Sequence, residues 1–208
     1  SFAAFYTVFG MLIGRMADKT SRRNIIMAGI AAWSIMTSLC AGVKNYTQFL
    51  FARMGVGVGE ATLSPSAYSI ITDYFPKKKL AFAMSIFTMG IFLGSGLALA
   101  IGAGLVANLP KEGMLHVPIL GDIYPWQTLF LYIGLPGLII SLLMLTIKEP
   151  QRKDVLLKNG VHSKLSLKES LAIIFKHPKA YLGVCIGTAF TAFVMYGSTA
   201  WIPTYFSR

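Results

Sequence analysis

The chain has 208 residues, of which 55% are hydrophobic and only 13% charged, about half the charged share of a soluble domain. With a mean hydropathy of +0.63 and a net charge of +11, this composition excludes an ordinary water-soluble core and points to a membrane protein with its basic residues gathered in loops. Nucleic acid is excluded as a partner, because the placement of those basic residues, set out below, accounts for the charge.

About 20 helical residues cross a hydrocarbon layer of roughly 30 Å, and the apolar runs have that length. A partial span, Phe2–Ile13, is followed by five complete ones at Ile25–Val43, Tyr46–Phe75, Leu80–Val106, Trp126–Ile147 and Tyr181–Phe206. Continuous apolar runs are not the alternating short strands of an outer-membrane barrel, so the expected fold class is an all-α membrane protein. Pro65, Pro136 and Pro203 lie inside spans, where neighbouring helices can satisfy the freed backbone groups.

Fifteen of the 19 Lys and Arg residues fall in the first, third and fifth connections, and only Lys44 and Lys111 in the second and fourth. By the positive-inside rule the first, third and fifth connections are cytoplasmic. The chain starts at the edge of a span and ends just after one, so it reads as part of a longer protein without a signal peptide. Cys40 and Cys185 sit in separate apolar spans and read as small hydrophobes.

The fifth connection divides the chain into an N-terminal bundle at 1–147, a cytoplasmic linker at 148–179 and the first helix of a second bundle at 180–208. Within the linker, Leu165, Leu167, Leu171, Ile174 and Phe175 recur at near-helical spacing beside Lys164, Lys168, Glu169 and Lys176. This predicts a short amphipathic helix, either lying on anionic headgroups or packed on the protein as a tether.

Arg53 and Glu60 lie inside the Tyr46–Phe75 span, where a charged group costs roughly 2.5–3.5 kcal/mol on insertion scales and usually faces a partner or a water-filled path. Seven residues make 700° of helix, so the two share one face about 10 Å apart along the axis. Glu60, about 20 Å below Tyr46, falls near the bilayer midplane. Desolvation raises a carboxylic pKa and a nearby guanidinium lowers it. Glu60 between those influences suits a proton carrier, with Arg53 as its charge partner or an anchor for an anionic headgroup. Gly55, Gly57 and Gly59 let another helix or a ligand approach the backbone.

The link after the first span reads Gly14-Arg-Met-Ala-Asp18-Lys19-Thr-Ser-Arg22-Arg23. It resembles the cytoplasmic signature of the major facilitator superfamily, Gly-x-x-x-Asp-Arg/Lys-x-Gly-Arg-Arg/Lys, and departs from it at Ser21. Gly14, Asp18, Lys19, Arg22 and Arg23 are thereby expected to form a cytoplasmic gate, Gly14 by close helix approach and the arginines by holding the opposite bundle. Arg53-x-x-x-Gly57-x-Gly59-Glu60-Ala61 resembles the fourth-helix signature of the same superfamily, which is associated with proton coupling. The resemblance implies a twelve-helix fold of which this chain supplies helices two to seven. It implies a central cavity lined in part by the fourth and seventh helices, which makes Ser64 and Tyr196 candidate substrate-binding residues beside Arg53 and Glu60.

Gly59-Glu60-Ala61, Ser64-Pro65, Asp73-Tyr-Phe-Pro76 and Gly90-Ile-Phe-Leu-Gly94-Ser-Gly96 look most like the spinster-type branch, whose members move sphingolipid-like or lysophospholipid amphiphiles. Trp201-Ile-Pro203-Thr-Tyr205 fits that branch and also organic-anion symporters. The Gly-Pro pair frequent in the fifth helix of antiporters is absent, since Ser95 follows Gly94. The Gly90–Gly96 glycines serve either tight packing or gating. His116, His162 and His177 have no metal or triad spacing, and no phosphate loop is present, so no catalytic residue, metal or cofactor is expected.

The expected function is a secondary transporter, proton-coupled through Glu60, that moves a lipid-like amphiphile by alternating access. Alternatives are an organic-anion symporter or multidrug exporter of the same superfamily, a passive channel or scramblase, and a ligand-binding relic without flux. The expected partners are the bilayer, the substrate and protons. A monomer is expected, in a plasma membrane or a bacterial inner membrane.

Overall fold

Two compact units, Ser1–Lys153 and Asp154–Arg208, make up the computed structural model, which describes residues 2–110, 113–118, 121–152, 157–158, 161–162, 172 and 175–206. The first unit contains helices α1 (Phe2–Lys19), α2 (Arg22–Leu39), α3 (Tyr46–Glu60), α4 (Leu63–Tyr74), α5 (Lys77–Asn108) and α6 (Pro125–Leu143), with single 3₁₀ turns at Cys40–Gly42 and Met144–Thr146. The second contains α7 (Pro178–Phe206). Arg22–Gly42, Lys77–Asn108, Pro125–Thr146 and Pro178–Phe206 are each long and apolar enough to cross a membrane.

Local chemistry sets the helix ends. Ser21 Oγ accepts from Asn24 N at 3.3 Å and Asn45 Oδ1 from Gln48 N at 2.9 Å, so that each caps free amides at a helix start. Pro125 occupies the first turn of α6, where a missing N–H costs nothing, and Gln127 Oε1 accepts from Tyr124 N at 2.8 Å. The fourth connection folds as a hairpin, β1 (Leu115–Val117) antiparallel to β2 (Gly121–Ile123). Gly121, at φ 75°, supplies the left-handed residue that opens β2.

Helix α2 is the centre of the first unit, with α3 and α4 on one side and α6 on another. Hydrocarbon solvates leucine as well as a protein core does, so helix association in a membrane rests on close approach of small residues. A Cβ built on Gly59 of α3 would stand 2.7 Å from Trp33 N and 2.9 Å from Gly29 O of α2. On the other side, one built on Gly134 of α6 would stand 2.8 Å from Ser38 N and 2.9 Å from Ser34 O. Ile26 and Ile30 of α2 join Ala67 and Ile70 of α4 in the buried apolar cluster. A Cβ added at Gly90, Gly94 or Gly96 of α5 would meet nothing within 4 Å among the described residues, so of the two readings of these glycines, tight packing has no counterpart within this unit.

Three sequence expectations are refined. The Tyr46–Phe75 run divides into α3 and α4 immediately after Glu60, although Ala61 and Thr62 keep right-handed helical backbone angles, so the break is a local interruption of the hydrogen-bond ladder within one helical path. Pro65 is the cause: it has no N–H for the carbonyl of Ala61, and its ring crowds that carbonyl. Thr62 fills the gap with a tighter turn, its N and Oγ1 both donating to Gly59 O at 3.2 and 2.8 Å. Second, Gly14–Lys19 is the last part of α1 rather than loop, and Arg22 and Arg23 begin α2, which leaves a link of Thr20 and Ser21. Third, Lys77–Lys79 is the first turn of α5 rather than loop. The amphipathic helix expected around Leu165–Phe175 falls almost wholly outside the described residues; the linker contributes a short pair, β3 (Leu157–Lys158) with β4 (Val161–His162).

Candidate functional site

Glu60 is the last residue of α3, at the break. Gly59 and Thr62 are buried against α2 and Ala61 is buried too, whereas Glu60 is exposed on the unit's surface. The glycine that brings α3 onto the backbone of α2 thus turns the next residue, 100° round the helix, away from that contact. Arg53, two turns earlier on the same helix, is half-buried, and its charge reaches both the Glu60 carboxyl and the Cys40 thiol. Arg53 and Glu60 thus lie two turns apart on one helix, near enough for the Arg53 charge to act on the Glu60 carboxyl.

Beyond the break, Ser64 Oγ lies 3.5 Å from Tyr6 Oη of α1. A Cβ on Gly14 would stand 4.0 Å from Pro65 Cβ, so α1 runs close beside the break. Tyr6 was not among the expected site residues, since nothing in a lone tyrosine of an apolar run marks it. Tyr196, on α7 of the second unit, is 76% exposed.

The basic end of the first unit holds the other constellation. Arg22 is 1% exposed and every nitrogen of its guanidinium has an acceptor. Nη1 donates to Asp73 Oδ2, to Ser69 Oγ at 2.8 Å and to Ser69 O at 3.1 Å; Nε donates to Glu149 Oε1 at 2.9 Å; Nη2 donates to Pro150 O at 3.1 Å. The arginine thereby ties the start of α2 to the last turns of α4 and to the segment after α6. Arg23 Nη1 donates to Ile147 O at 3.4 Å, Tyr74 Oη donates to Lys148 O, and Arg152 Nη2 donates to Ala17 O and Thr20 O at 2.6 and 2.8 Å. Residues 147–152 thus cross the ends of α1, α2 and α4.

Arg22 thus finds all of these acceptors inside its own unit, where Asp73 and Glu149 surround it. The side chains of Asp18 and Lys19 lie outside the described ones. Asp73 and Glu149 were missed as partners, and their sequence signal is an acid at the start of a basic connection, Asp73 ahead of Lys77–Lys79 and Glu149 beside Lys148.

Glu149 also caps α2. Its Oε2 accepts from Ser21 Oγ and Arg23 N, both at 2.8 Å, and its Oε1 from Arg22 N at 3.2 Å, where the positive end of the helix dipole favours an anion. Partial burial pushes its pKa up, but the hydrogen bonds from Arg23, Arg22 and Ser21 outweigh it and hold the carboxyl at about 2, below its ordinary 4.5. A depressed folded-state value means stabilisation that is complete above pH 4.5 and is lost as pH falls toward 2. Thermal unfolding in detergent is expected to show about 2 kcal/mol of stability lost across that window. Glu149→Gln is expected to remove this part of the pH profile; an unchanged profile would mean that Glu149 is not the titrating clasp.

Among the described residues no group of three or more His, Cys, Asp or Glu could hold a metal ion. His116 Nδ1 lies 2.9 Å from Asp122 Oδ1 in the exposed hairpin. A helical membrane bundle accords with the two signatures, and the family model of the Major Facilitator Superfamily matches residues 1–208. The chain belongs to the Major Facilitator Superfamily. It is accordingly a transporter-family, multi-pass integral membrane protein of all-α fold, as the sequence resemblance implied.

Within the superfamily the likeness to the spinster branch is direct. The chain resembles the crystal structure of a bacterial homologue of the human lysosomal transporter Spinster, inward-facing and unoccupied, with a TM-score of 0.67 and 30% identity over 96% of this chain and 44% of that one. It is 30% identical to Protein spinster homolog 1 of Homo sapiens, over all of this chain and 37% of that protein. It is also 30% identical to the benzoate transport protein of Acinetobacter baylyi, over 72% of this chain and 30% of that protein. The chain spans less than half the length of each.

Proposed function

We propose that this Major Facilitator Superfamily chain works within a proton-linked secondary transporter that carries a lipid-like amphiphile by alternating access. The observation that carries the reading is Glu60, an exposed carboxyl at the break between α3 and α4 within reach of the Arg53 charge. An acid beside a fixed cation gains or loses its proton as water and counter-charge come and go, whereas arginine stays charged. Glu60 is the protonatable switch and Arg53 its counter-ion or headgroup anchor. Ser64 and Tyr196 line the substrate path, and Gly14, Asp18, Lys19, Arg22 and Arg23 belong to the cytoplasmic gate. The bundle, linker and second-bundle division at 1–147, 148–179 and 180–208 supplies the two parts that move, and the protein acts as a monomer.

The amphiphile is favoured by the likeness to spinster proteins. The second reading, a proton-coupled organic-anion symporter, is favoured by the likeness to a benzoate transport protein. The two separate in one experiment on the full-length protein in liposomes, with an imposed pH gradient and with a fluorescent lysolipid and benzoate as parallel substrates. Gradient-driven lysolipid flux that Glu60→Gln reduces by about 100-fold, the scale of a lost proton-transfer group, is the expected result. Benzoate flux in its place selects the symporter. Equal flux in wild type and variant refutes the proton role of Glu60.

A further inference from the structure

At the end of the first unit opposite the Arg22 cluster, two cavities adjoin. One, of about 470 Å³, is polar-rimmed and lined by Lys44, Asn45, Asp122 and Gln127 together with Tyr46, Phe49, Tyr124 and Trp126. The other, of about 940 Å³, is an apolar groove walled by Ile35 and Leu39 of α2, Phe51 of α3, and Leu131, Leu135 and Leu138 of α6. Gly42 and Val43 line both, so the pocket that carries the charged and amide side chains borders the apolar groove.

Chemistry and dimension both point to the occupant. Tyr46, Tyr124 and Trp126 are exposed at helix ends, the position of the aromatic belt at headgroup level. From Trp126 to Leu138 is twelve residues of α6, about 18 Å of rise, which matches the hydrocarbon depth of one leaflet at about 15 Å. Leu131, Leu135 and Leu138 recur at i, i+4, i+7 and so present one continuous strip of α6. Above that strip Lys44 and Asp122, a cation and an anion, are both exposed. Asp122 accepts from or pairs with His116 through Oδ1 at 2.9 Å, and a carboxylate has further acceptor positions.

We propose that this composite cavity is a docking site for a zwitterionic phospholipid of that leaflet whose headgroup ends in an ammonium, the phosphate at Lys44, the ammonium at Asp122 and one acyl chain in the groove. The site is separate from the Glu60 region and does not depend on the transport reading. A purely anionic headgroup would leave Asp122 repelled, and an apolar ligand would leave both charges unused.

The test uses full-length protein in nanodiscs containing phosphatidylethanolamine with a diazirine on the acyl chain, with adducts mapped by mass spectrometry. Adducts are expected to concentrate on Leu131, Leu135 and Leu138 over the exposed leucines Leu97 and Leu99 of α5. Lys44→Gln and Asp122→Asn are each expected to lower the groove adduct about fivefold, the scale of one charge at a headgroup, and to leave the α5 adduct unchanged. A photoreactive phosphatidylglycerol is expected to label the groove less. Leu135→Trp fills the groove without touching the hairpin and is expected to abolish the groove adduct with both charges intact. Equal labelling of groove and α5, or a groove adduct indifferent to all three substitutions, overturns the proposal. So does an unlabelled groove in protein that runs as a dimer, which would assign the face to a second copy.

Discussion

Replacing Arg22 by methionine is expected to destabilise the first unit by about 3–5 kcal/mol, the cost of removing one partner from a buried ion pair. The guanidinium is 1% exposed and Asp73 6%. With the arginine gone, the Asp73 carboxylate keeps its burial and loses its counter-charge, and Glu149 loses one of its donors. The loss is thus mainly a buried carboxylate deprived of its Arg22 counter-charge and only secondarily a lost attraction. Arg22→Met with Asp73→Leu is therefore expected to regain most of the stability, because an apolar pair of similar volume needs no compensation. Arg22→Lys is expected to fall between, since one ammonium cannot reproduce a fork that reaches Asp73, Ser69, Glu149 and Pro150 together. Thermal unfolding of the four proteins in one detergent decides the matter. A double variant no more stable than Arg22→Met would show that burial of Asp73 is not the source of the cost.

This cluster also marks where sequence reading stops. The spans are legible, because length and apolarity in a bilayer are one-dimensional properties that a run of residues carries by itself. The relation of Arg53 to Glu60 is legible for the same reason: both lie on one helix, and its periodicity puts them on one face. Asp73 and Glu149 are 51 and 127 residues from Arg22, and no local pattern joins them. Their pairing is made by the crossing of residues 147–152 over three helix ends. The break after Glu60 is half legible. Pro65 is visible, but a proline in a membrane helix either kinks it or is absorbed by its neighbours. Here Gly29 of α2 sits directly against Thr62, which packs the broken form in place. Ser64, one residue short of that proline, meets Tyr6 of α1, a contact between helices that counting along one of them does not reveal.

Glycine shows the same limit from the other side, and leads to the second large effect. Gly59→Ala is expected to destabilise the protein by about 1–3 kcal/mol, and Gly90→Ala to stabilise it by up to about 1 kcal/mol. In sequence both are glycines in apolar helices of similar composition. A Cβ at 59 would stand 2.7 Å from Trp33 N and 2.9 Å from Gly29 O, both backbone atoms that cannot turn aside, so α2 and α3 must separate. At 90 a Cβ meets nothing within 4 Å among the described residues, and the substitution only restricts the unfolded chain. The separation at 59 also displaces Glu60, its immediate neighbour, so Gly59→Ala is expected to lower gradient-driven flux along with stability, whereas Gly90→Ala keeps it. Unfolding temperature and flux measured together on both variants test this. A Gly59→Ala protein of full stability would remove the close α2–α3 approach as the feature that orients Glu60, and a destabilised Gly90→Ala protein would mean that α5 is covered at that glycine by another surface of the full-length transporter.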